Sequence, residues 1–142
     1  MPEFATLDAV RLVSTSAAID AALSSGALAD DTIVLRTAPD EALIIGARAD
    51  TIDVDDPHAI VVDDRGWKGA WLSADDTAAL LRSEAAWQPP TERPSLAQGM
   101  IAHLPVKLWL EADRTLLIVP HVSAADLTHR IDIVLHGHGV SA

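Results

Sequence analysis

The 142-residue chain contains no cysteine and no tyrosine, and its ten Lys and Arg side chains face 21 Asp and Glu. Without cysteine there can be no disulfide, no thiolate nucleophile, no iron–sulfur cluster and no Cys-based zinc site. That composition suits a reducing compartment, and a cytoplasmic protein is expected. The net charge of −11 creates a field that repels phosphodiester backbones and anionic lipid headgroups, so neither nucleic acid nor a membrane is expected as a partner. No uninterrupted apolar run of about 18 residues occurs, and Met1-Pro2-Glu3-Phe4 lacks the basic start of a signal peptide, so the chain reads as soluble and unexported. The seven glycines form neither a Gly-x-Gly-x-x-Gly cradle nor a Gly-x-x-x-x-Gly-Lys loop, and no Gly-x-Ser-x-Gly elbow is present. Nucleotide binding through such loops is thereby disfavoured.

What is present is apolar segments spread along the whole length, 49% of residues against 22% charged, which rules out wholesale disorder and points to one compact core. The expectation is a single domain over 1–142, with 137–142 as a candidate disordered tail. Val10 to Val13 reads as a short strand, followed by a helix capped by Ser14 or Ser16, with Ile19, Ala22 and Leu23 on one face and Gly26 stopping it. Thr32–Arg36 and Ala42–Ile45 flank Pro39-Asp40 as a hairpin. Ala59–Val62 and Lys68–Leu72 around Asp63–Gly66 read as a second hairpin. Met100–Glu111 and Thr115–Val119 around Ala112-Asp113 read as a third, with Pro105 requiring an edge or a bulge. Ser73 and Asp76 form a capping-box pattern before a helix over about 74–85. Ser123 caps a last helix with Ala124, Leu127, Ile131 and Val134 inward, an Asp126–Arg130 pair outward and Gly137 as its end. Residues 59–85 and 100–135 thus share the order strand, strand, helix. The fold class is α+β, an antiparallel sheet built from hairpins with helices on one face.

Candidate sites were weighed against plain structural roles. Asp53, Asp55 and Asp56 partly match a calcium loop, but Pro57 and His58 fall where a ligand and the turn glycine belong, so a solvated acidic loop is the reading. His129, His136 and His138 cluster near the end of the last helix without a fourth ligand or an orienting shell, and His136 suits the negative end of the helix dipole. Ser16, Ser73 and Ser123 sit where caps are wanted, not beside a base. The aromatic content is 4%, but four of the side chains are tryptophan. Trp67 and Trp71 share strand parity with Gly69 between them, and Trp109 lies in another strand. These indoles either fill core or offer a flat face to a planar ligand or a partner subunit. Ligand or interface candidates are therefore Trp67, Trp71, His103 and Trp109, with no catalytic residue and no metal ligand assigned.

The order of motifs resembles a known family. Thr37-Ala38-Pro39-Asp40-Glu41-Ala42-Leu43-Ile44-Ile45-Gly46 is similar to the Gly/Ala-Pro-Asp-Glu-Trp-Leu-Leu hairpin of the sarcosine oxidase gamma subunit, a relative of the folate-binding aminomethyltransferases. Ile60–Asp63 with Lys68–Leu72, the helix from Ser73 to Ala85, the strand Gln98–Trp109, and Leu116–Pro120 before Ser123-Ala124 follow in the family's order, so the resemblance spans about residues 32–135. Departures are Ala42 for Trp, Ser73-Ala74 for Gly-Pro, and Pro120-His121 for an Arg-containing approach to the last helix. The resemblance implies an aminomethyltransferase folate-binding-domain-like fold. It also implies a non-catalytic accessory subunit within a flavin-dependent sarcosine or amine oxidase complex, with no cofactor held by this chain and a protein partner or second copy covering it. The alternative is a stand-alone module for a folate-like or other planar small molecule stacking on Trp67 or Trp71. An enzyme acting alone has no motif behind it.

Overall fold

The computed structural model describes residues 3–26 and 28–140, the last four by backbone only. In chain order the elements are β1 (Ala5–Thr6), β2 (Ala9–Val13), α1 (Ser16–Leu23), β3 (Ile33–Ala38), β4 (Glu41–Ile45), β5 (Ile60–Asp64), β6 (Trp67–Ser73), α2 (Ala74–Glu84), β7 (Ser95–Ile101), β8 (Leu104–Leu110), β9 (Arg114–Pro120) and α3 (Ala124–Val140). Short 3-10 turns occupy Ala49–Thr51 and His121–Ser123. The α+β class expected from the sequence holds, but the strands form two antiparallel sheets where one was expected. The chain divides into two compact units, Leu7–Arg65 and the remainder, and each has its own apolar core in place of the single core expected.

In the larger unit the strand order is β1-β6-β9-β8-β7. Alternation in β6 and β8 sends Leu72, Val106, Leu108 and Leu110 into one cluster with Leu80 of α2 and with Leu127 and Ile131 of α3, so both helices cover the same sheet face. The central strand β9 is buried from Thr115 to Val119, which is why it reads as a continuous apolar run. Helix α2 starts where expected: the Ser73 hydroxyl accepts from the Asp76 N–H at 3.1 Å. Asp75 and Asp76 sit in its first turn and Arg82 in its last, matching the helix dipole. In α3, Ala124, Leu127 and Ile131 are buried and Arg130 pairs with Asp126 at 3.1 Å, as expected.

In the smaller unit the order is β3-β4-β2-β5, and α1 packs Ile19 against Val10, Leu12, Ala42 and Ile44. Arg36 of β3 ties that helix down, donating to the Asp20 carboxylate at 2.7 Å, the Ser16 hydroxyl at 3.0 Å and the Pro39 carbonyl at 2.7 Å. The α1 cap is Thr15, whose hydroxyl accepts from the Ala18 N–H, and not Ser14 or Ser16. Ser14 is buried and donates instead to Asp56.

Three readings of the sequence are corrected. The strands β5 and β6 do not form a hairpin: β5 pairs with β2 and β6 with β9 and β1. A two-residue hairpin loop needs positive φ at its first or at both positions, and neither Arg65 nor Gly66 has it. Of the two strand–strand–helix stretches, only β8-β9-α3 is therefore a paired unit. The segment taken as one strand from Met100 is itself a hairpin, because Ala102 at φ 50° and His103 at φ 68° turn β7 into β8. Helix α3 runs through Gly137 to Val140, while the rest of the candidate tail, residues 141–142, lies outside the described residues.

Candidate functional site

Three of the four residues singled out from the sequence, Trp67, Trp71 and Trp109, lie on the larger unit, on the sheet face opposite α2 and α3. Leu72 faces the helices, so alternation along β6 turns Trp67, Gly69 and Trp71 the other way. Register then builds rows across the sheet. Trp71, Leu116, Trp109 and Leu96 form one row, Gly69, Ile118, Lys107 and Gln98 the next, and at the far end Trp67 pairs with Pro120 and Met100 with Pro105.

At the first row the two tryptophans are bridged by an ion pair. The Arg114 guanidinium lies 3.6 Å from the centre of the Trp71 ring. Its Nε donates to Glu111 Oε1 at 2.9 Å, and the Trp109 Nε1–H donates to Glu111 Oε2 at 3.0 Å. Trp71 remains 40% exposed. Guanidinium–ring and charge-assisted contacts of this kind fix side-chain positions more than they add stability at a surface.

At the other end the side chains enclose a hollow of about 420 Å3 lined by Trp67, Met100, Pro105, Pro120, Gln98 and Lys107, with Gly99 and Val106 at its floor. The Lys107 ammonium stands 4.7 Å from the centre of the Trp67 ring and donates to Gln98 Oε1 at 2.9 Å. Met100 is 49% exposed, so the hollow opens outward.

Behind β7, on the helix side, Trp87 lies against Gly99, and its Nε1–H donates to the Met100 carbonyl at 2.9 Å. His103 is exposed in the β7–β8 turn and joins Trp87, Met100, Ala102, Ala86 and Glu84 around a second hollow of about 300 Å3. Arg130 of α3 holds that turn by donating to the Ala102 carbonyl. The structure thus brings Trp71 and Trp109 together, sets Trp67 at the opposite end of the same face and leaves His103 apart from all three. Lys107, Gln98 and Met100 were missed from the sequence because the hairpin that aligns them turns on Ala102-His103, which carries neither Gly nor Asn.

The smaller unit has a polar cleft of about 410 Å3 lined by Asp8, Arg48, Asp63, Arg65 and Gly46. Its charged groups have partners: Arg65 pairs with Asp8 at 3.3 Å, Arg48 pairs with Asp50 at 3.0 Å, and Asp63 accepts from the Ala49 N–H at 2.8 Å. In the acidic loop, Asp53 and Asp55 are exposed as expected, but Asp56 is half-buried. The Ser14 hydroxyl at 2.6 Å, followed by the His58 N–H, holds the Asp56 carboxyl below its ordinary pKa. Among the described residues no three His, Asp or Glu side chains come together as a metal site, and no helix is long and apolar enough to cross a membrane.

No family profile and no curated protein sequence matches the chain. In structure it is similar to a chain of the heterotetrameric sarcosine oxidase from Corynebacterium sp. U-96, solved in complex with pyrrole 2-carboxylate, with a TM-score of 0.72 at 20% identity. The match covers 92% of this chain and 81% of that one. At this identity the likeness establishes the fold, and it falls on the kind of enzyme that the sequence motifs resemble.

Proposed function

We propose that the chain is an accessory, non-catalytic subunit of a flavin-dependent complex of the sarcosine oxidase type, in the role of that enzyme's gamma subunit. The observation that carries this reading is the near end-to-end fit, 92% of one chain on 81% of the other, to a chain that works inside a heterotetramer. The motif order from Thr37 to Ala124 supports the same reading and favours an aminomethyltransferase folate-binding type of fold. In this reading the partner holds the flavin, this chain holds no cofactor, and the assembly is cytoplasmic. Trp71, 40% exposed with the Arg114 guanidinium over its ring, is a candidate contact residue, since aromatic and Arg side chains are enriched at interface centres.

The test is purification of the tagged chain from its native source under mild conditions. A stoichiometric partner with a flavin spectrum and peroxide release that depends on sarcosine or a related secondary amine is the expected result. A chain that elutes alone at every step, without flavin absorbance, overturns the proposal.

A further inference from the structure

We propose that the hollow at the C-terminal end of α2 binds a small organic ammonium ion with an apolar body, its charge meeting Glu84. The inference goes beyond the subunit reading and does not depend on it. Helix α2 ends at Glu84, which sets a carboxylate at the end of the helix where the dipole is already negative. Asp75 and Asp76 in the first turn and Arg82 in the last follow the stabilising arrangement, and Glu84 breaks it. Its side chain is half-buried, and among the described residues it has neither a hydrogen bond nor an ion pair. A carboxylate partly withdrawn from water, beside further negative charge, is electrostatically incomplete until a cation joins it.

Glu84 shares its hollow of about 300 Å3 with Trp87 and His103, a volume at the small end of ligand sites, which span ~300–1,000 Å3. The indole is fixed before any ligand arrives, because its N–H is bonded to the Met100 carbonyl at 2.9 Å and its ring lies against Gly99. Such a ring attracts an ammonium ion and also covers an apolar body. His103, held at φ 68° in the β7–β8 turn, has no side-chain partner among the described residues either, and no ion pair joins it to Glu84. Its ring nitrogen can accept a second N–H from the same ammonium. Charge narrows the ligand class further. The net charge of −11 raises the local concentration of cations. No Lys or Arg lines the hollow, so the carboxylate of an amino acid would meet Glu84 without a countercharge. Among the described residues no third His, Asp or Glu joins Glu84 and His103, which leaves a divalent metal short of ligands.

The experiment titrates the full chain with 2-phenylethylammonium, following backbone amide and indole N–H resonances, and repeats the titration with neutral 2-phenylethanol, with ethylammonium and with zwitterionic phenylalanine. Phenylethylammonium is expected to shift the Trp87 indole and the amides of residues 84–87 and 100–103, and to bind at least about tenfold more tightly than any of the three controls. Glu84→Gln should bring it down to the level of phenylethanol without lowering the melting temperature, since the change removes a carboxylate from the negative end of a helix. Glu84→Lys, the second variant, should abolish binding of phenylethylammonium altogether. Equal binding of phenylethylammonium and phenylethanol, shifts centred on the acidic loop at residues 53–56 instead, a lowered melting temperature in Glu84→Gln, or an affinity unchanged in either variant would each overturn the proposal. None of these outcomes bears on whether a flavin-containing partner copurifies, so the two readings fail separately.

Discussion

Gly99→Ala should destabilise the protein although alanine is ordinarily the better strand residue. A methyl group there would lie 2.5 Å from Cε2 of Trp87 and 2.7 Å from its Cζ2 and Nε1, well inside contact distance. The ring cannot swing away freely, because its N–H is bonded to the Met100 carbonyl at 2.9 Å and its body packs on the helix-side core. Either β7 shifts, an overpacking cost of about 1–3 kcal/mol, or the indole leaves, losing a hydrogen bond of about 1 kcal/mol together with its apolar contacts. Both routes converge on about 2 kcal/mol, or a fall of roughly 4–8 °C in melting temperature for a chain of this size. The assay is thermal and urea unfolding of four proteins: the parent, Gly99→Ala, Trp87→Ala and the double variant. With the ring removed there is nothing for the methyl group to strike, so the Gly99→Ala penalty should vanish in the Trp87→Ala background, and relief of glycine's entropy cost should make the change slightly stabilising. A Gly99→Ala protein as stable as the parent, or one equally destabilised with and without Trp87, would refute the reasoning.

His103→Gly should raise stability by about 0.5–1 kcal/mol, because His103 sits at φ 68° where L side chains are strained and glycine is not, and calorimetry checks it. Arg114→Ala should free the Trp71 ring and the Glu111 carboxylate together, increasing quenching of tryptophan fluorescence by acrylamide while costing about 0.5–1 kcal/mol, a surface-sized effect. Asp53→Asn and Asp55→Asn should leave the melting temperature unchanged, whereas Asp56→Ala should lower it by stranding the buried Ser14 hydroxyl. Because the folded-state pKa of Asp56 is depressed, its stabilisation is present above the ordinary value of 3.8 and is lost as pH falls through the lower folded value. The gap between the parent and Asp56→Ala should therefore be constant from pH 5 to 7 and close below about pH 4.

How much of this was legible in the sequence depended on how local each determinant is. Helix α2 was readable to within a residue because a serine cap, two acidic residues and a proline-rich stop lie within its own segment. The β3–β4 hairpin and the β8–β9 turn were readable for the same reason. Strand partners were not local. Ile60–Asp64 and Trp67–Ser73 are adjacent in sequence and separated by a turn-like Arg65-Gly66, yet they join different sheets. The choice is made by register with distant strands: Leu12 opposite both Ala42 and Val61 in one sheet, Ala70 opposite Leu117 in the other. No turn residue announces such pairings, and a short loop between two strands reads as a hairpin by default.

The candidate site followed the same division. The parity that puts Trp67 and Trp71 on one face is a property of β6 alone and was read correctly. The company they keep is a property of β8 and β9, and it required knowing that Ala102-His103 is a turn. Without that turn, an extended chain from Gln98 to Lys107 would hold the two nine residues apart, about 30 Å at ~3.3 Å per residue. With the turn in place they are cross-strand partners joined by a 2.9 Å hydrogen bond. The strained pair of positive-φ residues therefore does more than close a hairpin. It brings an ammonium, an amide and a methionine from two strands to the same end of the sheet as Trp67, and Arg130 of α3 holds it there through the Ala102 carbonyl. If that is the role of the clamp, Arg130→Met should disturb the amide resonances of residues 98–107 and the Trp67 indole together, while leaving the Trp109 indole, held by Glu111 at the other end, in place. Uniform changes across both ends of the face would mean that Arg130 supports the fold at large and not this hairpin.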